Sequence, residues 1–291
     1  MIIDCHMHYE PDIMTLERTI AGMDDHGIDK TALIATMVEP FSIQSKARQA
    51  TGDVMRATLF RANKLGQLLY QSTLSSKGYF VVLGKKYRIY DNPDNAQVAD
   101  AISRYPDRFM GWIFINPATG GDTVAEIEKW SSSPGMIGVK AHPFWHRYPV
   151  EKLDPAAAWC RDNRYPLLIH LGARGGSGDY RRLPDKFPGL KLVYAHAGIP
   201  YFQELWSYIK DKDGVYVDLS SPYLNSALVA KTVDFLGPAK CLYGTDGPYG
   251  AQPLGKDYDY GLIKGWVENA TLRGGHDQVF FENFQSIIRP S

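Results

Sequence analysis

Cysteine is scarce in this chain: Cys5, Cys160 and Cys241 are the only three in 291 residues. An odd number of widely separated cysteines suits neither a disulfide framework nor a Cys-x-x-Cys metal knuckle, so they read as core thiols. Net charge is missing as well, with 32 Lys and Arg against 32 Asp and Glu. That balance removes the electrostatic case for nucleic acid or an anionic membrane surface and leaves a small molecule as the default partner. No apolar run approaches the roughly 18 residues of a membrane span, and no repeat or low-complexity tract is evident. A histidine motif that starts at His6 leaves no space for a signal peptide before it, so a cytoplasmic location is expected.

What is present is apolar material in a regular rhythm. With 44% hydrophobic residues the chain can bury a large core, and 291 residues suit a single α/β barrel domain spanning 1–291. Short β-branched or apolar runs predict strands at Met1–His8, Lys30–Val38, Phe109–Asn116, Met136–His142, Pro166–Leu171, Lys191–His196, Val215–Leu219 and Cys241–Asp246. Between them lie amphipathic stretches at Thr15–His26, Asn95–Arg104, Asp122–Ser131, Asp154–Asp162, Tyr201–Lys210, Asn225–Leu236 and Tyr258–Leu272. The helix at 225–236 has Asn225 as a cap and Gly237-Pro238 as a stop. Strand and helix alternate, which argues for parallel strands with crossover helices. A count of eight favours a closed (β/α)8 TIM barrel over an open sheet.

One stretch breaks the rhythm. Residues 39–94 are too long for an ordinary strand-to-helix loop and read as an insertion after strand 2, helical over Ala57–Tyr70. Its basic residues, among them Lys46, Arg48, Arg56, Arg61, Lys64, Lys85 and Lys86, face few acids. In a barrel such an insertion emerges on the catalytic face, so a lid or subunit contact offering cations to an anionic substrate is one reading. A solvated helical excursion is the other.

The chemistry gathers at strand ends. Strand one closes in His6-Met7-His8, and period-two alternation sets both imidazoles on one side. The fourth predicted strand ends in Lys140-Ala141-His142, the fifth in His170, the sixth in His196 and the eighth in Asp246. A lone histidine in an apolar run is more often a hydrogen-bonded core residue than a ligand. Five strands ending independently in such side chains are hard to obtain from packing alone, and point to a metal centre.

These motifs resemble the amidohydrolase superfamily. The phrases Gly138-Val139-Lys140-Ala141-His142-Pro143 and Tyr194-Ala195-His196-Ala197-Gly198 are similar to its amidohydrolase-related branch, which contains aminocarboxymuconate-semialdehyde decarboxylase and its relatives. The resemblance implies that His6, His8, His170 and Asp246 bind one divalent metal, zinc by preference. It implies catalytic roles for Asp246, accepting the proton of an activated water, and for His196, donating to a developing oxyanion. The decarboxylase relatives also imply a homodimer.

Lys140, His142 and Arg174 remain open. Lys140 or His142 contacts a substrate carboxylate, or both simply end their strand; in binuclear relatives a carboxylated lysine on this strand bridges two metals. Arg174 lies in the glycine-rich loop 172–178 and can meet an anion there, although the loop lacks the phosphate-binding strand–loop–helix pattern. The leading expectation is a hydrolase of an amide, ester or lactone in a small carboxylated substrate, since Asp246-Gly247-Pro248 lacks the aromatic residue that more often follows this aspartate in the decarboxylases. The alternative is a decarboxylase or hydratase acting on an aromatic or muconate-type acid. A barrel that binds metal without catalysis is the third and weakest reading, because both proton-transfer residues are present.

Overall fold

The computed structural model describes residues 1–41, 46–173, 175–220, 222–250 and 258–288. Strand β1 (Ile3–His8) is buried at all six positions, as expected for a strand covered on both faces. Parallel neighbours follow as β2 (Lys30–Ile34), β5 (Phe109–Ile115), β6 (Met136–Ala141), β7 (Leu167–Ile169), β8 (Leu192–Tyr194), β9 (Val215–Asp218) and β10 (Cys241–Leu242), in that spatial order. Strands β3 (Tyr79–Val82) and β4 (Lys85–Arg88) form a separate antiparallel hairpin.

The last strand returns to the first. Cys5 N–H donates to Tyr243 O at 3.0 Å, and Asp246 N–H donates to His6 O at 2.7 Å. His8 N–H donates to Gly247 O at 2.6 Å, and side chains reinforce the seam where Thr245 N–H donates to Asp4 Oδ1 at 3.0 Å. Eight parallel strands with flanking helices therefore close into the (β/α)8 barrel that the strand count predicts. All three cysteines are buried free thiols. Among the described residues no helix is long and apolar enough to cross a membrane.

The crossover helices start where their caps predict. Asp94 accepts from Ala96 N–H, Asp122 from Val124 N–H, and Asn225 from Leu228 N–H, each satisfying a donor that the first helical turn leaves free. Inside the barrel, Gly138 on β6 lets the fully buried Trp112 ring approach: a Cβ there would lie 2.4 Å from the indole.

The insertion is richer than its predicted single helix. It contains helices at Lys46–Arg61 and Asn63–Ser72, broken at Ala62, followed by the β3–β4 hairpin. The two helices cross closely at Gly66, where a Cβ would lie 2.4 Å from the Leu59 backbone. Leu83 and Gly84 make the two-residue hairpin turn, with φ of 49° and 78°. Positive φ at both central positions matches the right-handed twist of the flanking strands, and glycine supplies one of them without cost.

Candidate metal centre

Strand β1 delivers His6 and His8 to the C-terminal mouth of the barrel, where the turn after β10 brings Asp246. Asp246 Oδ1 lies 3.2 Å from His6 Nε2, 3.2 Å from His8 Nε2 and 4.0 Å from His196 Nε2. The ligand atoms of His6, His196 and Asp246 all fall within 4.8 Å of one another. Asp246 and His196 both adopt left-handed backbone conformations, with φ of 57° and 53°. Such strain in non-glycine residues persists where surrounding structure holds it, and it recurs at functional sites.

A carboxylate overlooked by the sequence reading organises these imidazoles. Asp218, at the end of β9, accepts from His6 Nδ1–H at 2.8 Å and from the His196 backbone N–H at 2.9 Å. Its second oxygen also receives the Ser220 hydroxyl, whose oxygen lies 2.8 Å from His196 Nδ1. With the Ser220 proton committed to Asp218, the contact to His196 requires a proton on Nδ1. Burial alone would raise the Asp218 carboxyl, but the His6 and His196 imidazoles outweigh it, and it stays below the usual range. Asp218 and Ser220 were legible by the rule that found the others: a polar side chain closing an apolar strand, here Val215-Tyr216-Val217-Asp218.

The consequence for His6 is decisive. Burial, assisted by the nearby Lys140 charge, pulls its pKa down to about 4. At neutral pH the ring carries one proton, and Asp218 holds it on Nδ1. The buried Nε2 therefore presents a bare lone pair with no hydrogen-bond partner, facing the Asp246 oxygen at 3.2 Å. Burial would raise Asp246 too, yet His196 and His8 keep it below the usual carboxylate range, so it is ionised. Two acceptors facing each other in a dry site repel, and a cation bound by both removes the conflict. Imidazole nitrogen with carboxylate oxygen is a donor set suited to zinc and neighbouring divalent metals.

His196 likewise turns a bare Nε2 towards the site. That tautomer suits accepting a cation or a proton, whereas the expected donor role needs the other one. His142 has the complementary arrangement: its Nδ1 accepts from Trp145 N–H at 3.0 Å, which leaves the proton on Nε2. Burial pushes both His142 and His170 well below the ordinary histidine range, so both are neutral. His170 stacks on His142 at 4.1 Å, and its Nε2 is hydrogen-bonded to the hydroxyl of Tyr70 from the insertion. No sequence signal marks Tyr70, because only the folded insertion brings it here.

A cavity of about 640 Å³ opens above these groups, with His8, His142, His170, His196 and Asp246 in its wall. Insertion residues including Val54, Leu69 and Phe80 complete it, together with Trp145, Tyr249 and Trp266. The insertion thus roofs the site. Its basic residues do not: Arg61, Lys64, Lys85 and Lys86 are exposed and away from the cavity wall. Arg56 is the exception and the one Lys or Arg in that wall among the described residues. The side chains of Lys46 and Arg48, and the whole of Arg174, lie outside the described residues. Lys140 is not in the wall either: it is fully buried, its Nζ has no hydrogen-bond partner, and burial lowers its pKa to about 8.

The family profile described as Amidohydrolase matches residues 3–265, nearly the whole barrel. The chain belongs to the amidohydrolase family. Metal-dependent enzymes make up this family, in agreement with the histidine and aspartate cluster. No curated protein sequence matches the chain. Solved structures do. A probable 2-pyrone-4,6-dicarboxylic acid hydrolase from Acinetobacter baumannii aligns at 13% identity and TM-score 0.61, covering 98% of each chain. A 4-oxalomesaconate hydratase from Rhodopseudomonas palustris aligns at 15% identity and TM-score 0.60, covering 99% of this chain and 95% of its own. A dihydroxybenzoic acid decarboxylase from Polaromonas, with bound manganese and 2-nitroresorcinol, aligns at 16% identity and TM-score 0.58, covering 98% and 96%. At these identities the (β/α)8 barrel fold is what they share.

Proposed function

We propose that this amidohydrolase-family protein is a metal-dependent hydrolase that cleaves an amide, ester or lactone in a small substrate carrying one carboxylate, with zinc as its metal. The observation that carries this reading is the bare Nε2 of His6, gathered with His196 against the ionised Asp246 at the floor of a cavity. His6, His8, His170 and Asp246 would hold the metal. Bound there, it supplies Lewis acidity and brings the pKa of water to about 7.

The chain's own groups do the rest. Asp246, buried and ionised, accepts a proton from the attacking water and returns it to the leaving group. His142, with its proton on Nε2, donates to the oxygen on which charge develops. Arg56 meets the substrate carboxylate, and the apolar walls keep bulk water from weakening these contacts. Decarboxylation or hydration is the second reading. It is favoured by the largely aromatic and aliphatic wall and by the hydratase and decarboxylase among the structural relatives.

Metal analysis and substrate profiling test both readings together. Zinc-supplied protein is expected to carry about one divalent ion per chain, and His6→Ala to lose it. Against a panel of lactones, esters, amides, aromatic acids and muconate-type acids, hydrolysis without carbon dioxide release is expected. Carbon dioxide evolution from an acid would select the second reading. A folded wild-type protein that takes up no metal would sink both.

A further inference from the structure

Among the described residues of the insertion, Tyr70 is the one hydrogen-bonded to a histidine of the proposed ligand set. It sits in the helix Asn63–Ser72, is fully buried, and its hydroxyl is hydrogen-bonded to His170 Nε2. The ring stacks on Phe144 at 4.1 Å and meets Tyr223 edge-on at 5.7 Å.

The direction of this bond matters more than its existence. The Tyr70 and His170 rings are parallel within 4°. An imidazole lone pair projects in the plane of its ring, which is where a metal ligated through that nitrogen must lie. In this structure the tyrosine hydroxyl is hydrogen-bonded to that same nitrogen.

We propose that Tyr70 and the metal compete for the Nε2 of His170, so that loading the site requires the insertion helix to withdraw its tyrosine. The inference rests on the reading of His170 as a metal ligand. It makes the insertion more than a roof over the cavity: the seating of the helix at 63–72 and the occupancy of the metal centre become one equilibrium, each opposing the other. A buried neutral hydrogen bond of this kind, once lost as a competitor, changes an affinity by roughly three- to thirty-fold.

The test is a zinc titration of chelator-stripped protein. Tyr70→Phe keeps the ring and its stacking on Phe144 but removes the hydroxyl, and it is expected to bind zinc roughly three- to thirty-fold more tightly than wild type. In a His170→Ala background the same substitution is expected to have no effect, since the contested atom is gone. Unchanged or weaker zinc binding by Tyr70→Phe would overturn the competition. Hydrogen exchange on the unmodified protein gives a second readout: zinc should speed exchange of the amides in 63–72, and unaltered exchange would count against the proposal. If wild-type protein binds no zinc at all, the metal reading itself fails and this inference falls with it; zinc binding that ignores Tyr70 removes the inference alone.

Discussion

Asp218 constrains two imidazoles with one carboxylate, holding His6 directly and His196 through Ser220. Its role is positional, since it sets which nitrogen of each ring is free. Replacing such a partner typically weakens metal binding by roughly 10- to 100-fold. Asp218→Asn is therefore expected to lower zinc affinity within that range, and Ser220→Ala to have a smaller effect, because it leaves the His6 bond intact. Competition with a chromogenic chelator measures both. Wild-type affinity in Asp218→Asn would show that His6 holds its tautomer without help. At this scale the strand-end residues were readable because each is a local exception in an apolar run. His142 and His196 show the limit: type and position were legible, while the tautomer depends on Trp145 N–H and on Ser220, contacts made only after folding.

At the scale of elements, the insertion differs most from expectation. Its excess of basic residues suggested a cationic lid, yet the exposed Arg61, Lys85 and Lys86 leave that role to Arg56. Arg56 is held in place by donating to Pro222 O at 2.8 Å and by pairing with Asp53. Its Nε is buried without a partner. Arg56→Met is expected to raise KM for a carboxylated substrate by about tenfold or more, while changing that for the matching neutral ester much less, because only the charged form loses a charge-assisted contact. Equal effects on acid and ester would leave Arg56 a structural brace. The hairpin was missed for an identifiable reason. Its two-residue turn carries Leu-Gly instead of the Asn-Gly or Asp-Gly that announces such turns, and its second strand, Lys85–Arg88, is exposed at three of its four positions and shows no apolar alternation.

For the whole molecule, closure of the ring decides where everything else stands. Residues 243–247 hydrogen-bond to β1, so His6 and Asp246, separated by almost the entire chain, become neighbours. The barrel interior has to fit around Trp112, whose Nε1–H donates to Cys5 O at 2.9 Å next to His6. Gly138→Ala would drive a methyl group into that indole, with the nearest ring carbon at 2.4 Å and Pro166 at 2.9 Å. Overpacking of this kind costs about 1–3 kcal/mol, so thermal unfolding should shift down by roughly 2–5 °C. An unchanged Tm in Gly138→Ala would show that Trp112 has slack the packing does not suggest.

The sequence by itself determined the barrel and the composition of its mouth. Alternating apolar periods are local, and eight strands with covered faces have few ways to close. Polar residues that end such strands are visible without any contact map. Tertiary structure alone decided the remainder: which nitrogen each imidazole presents, the burial that holds His6 neutral beside two carboxylates, the withdrawal of Lys140 from the cavity wall, and the arrival of Tyr70 at His170. Each of these depends on distances between segments far apart in the chain, and on how completely water is excluded once they meet.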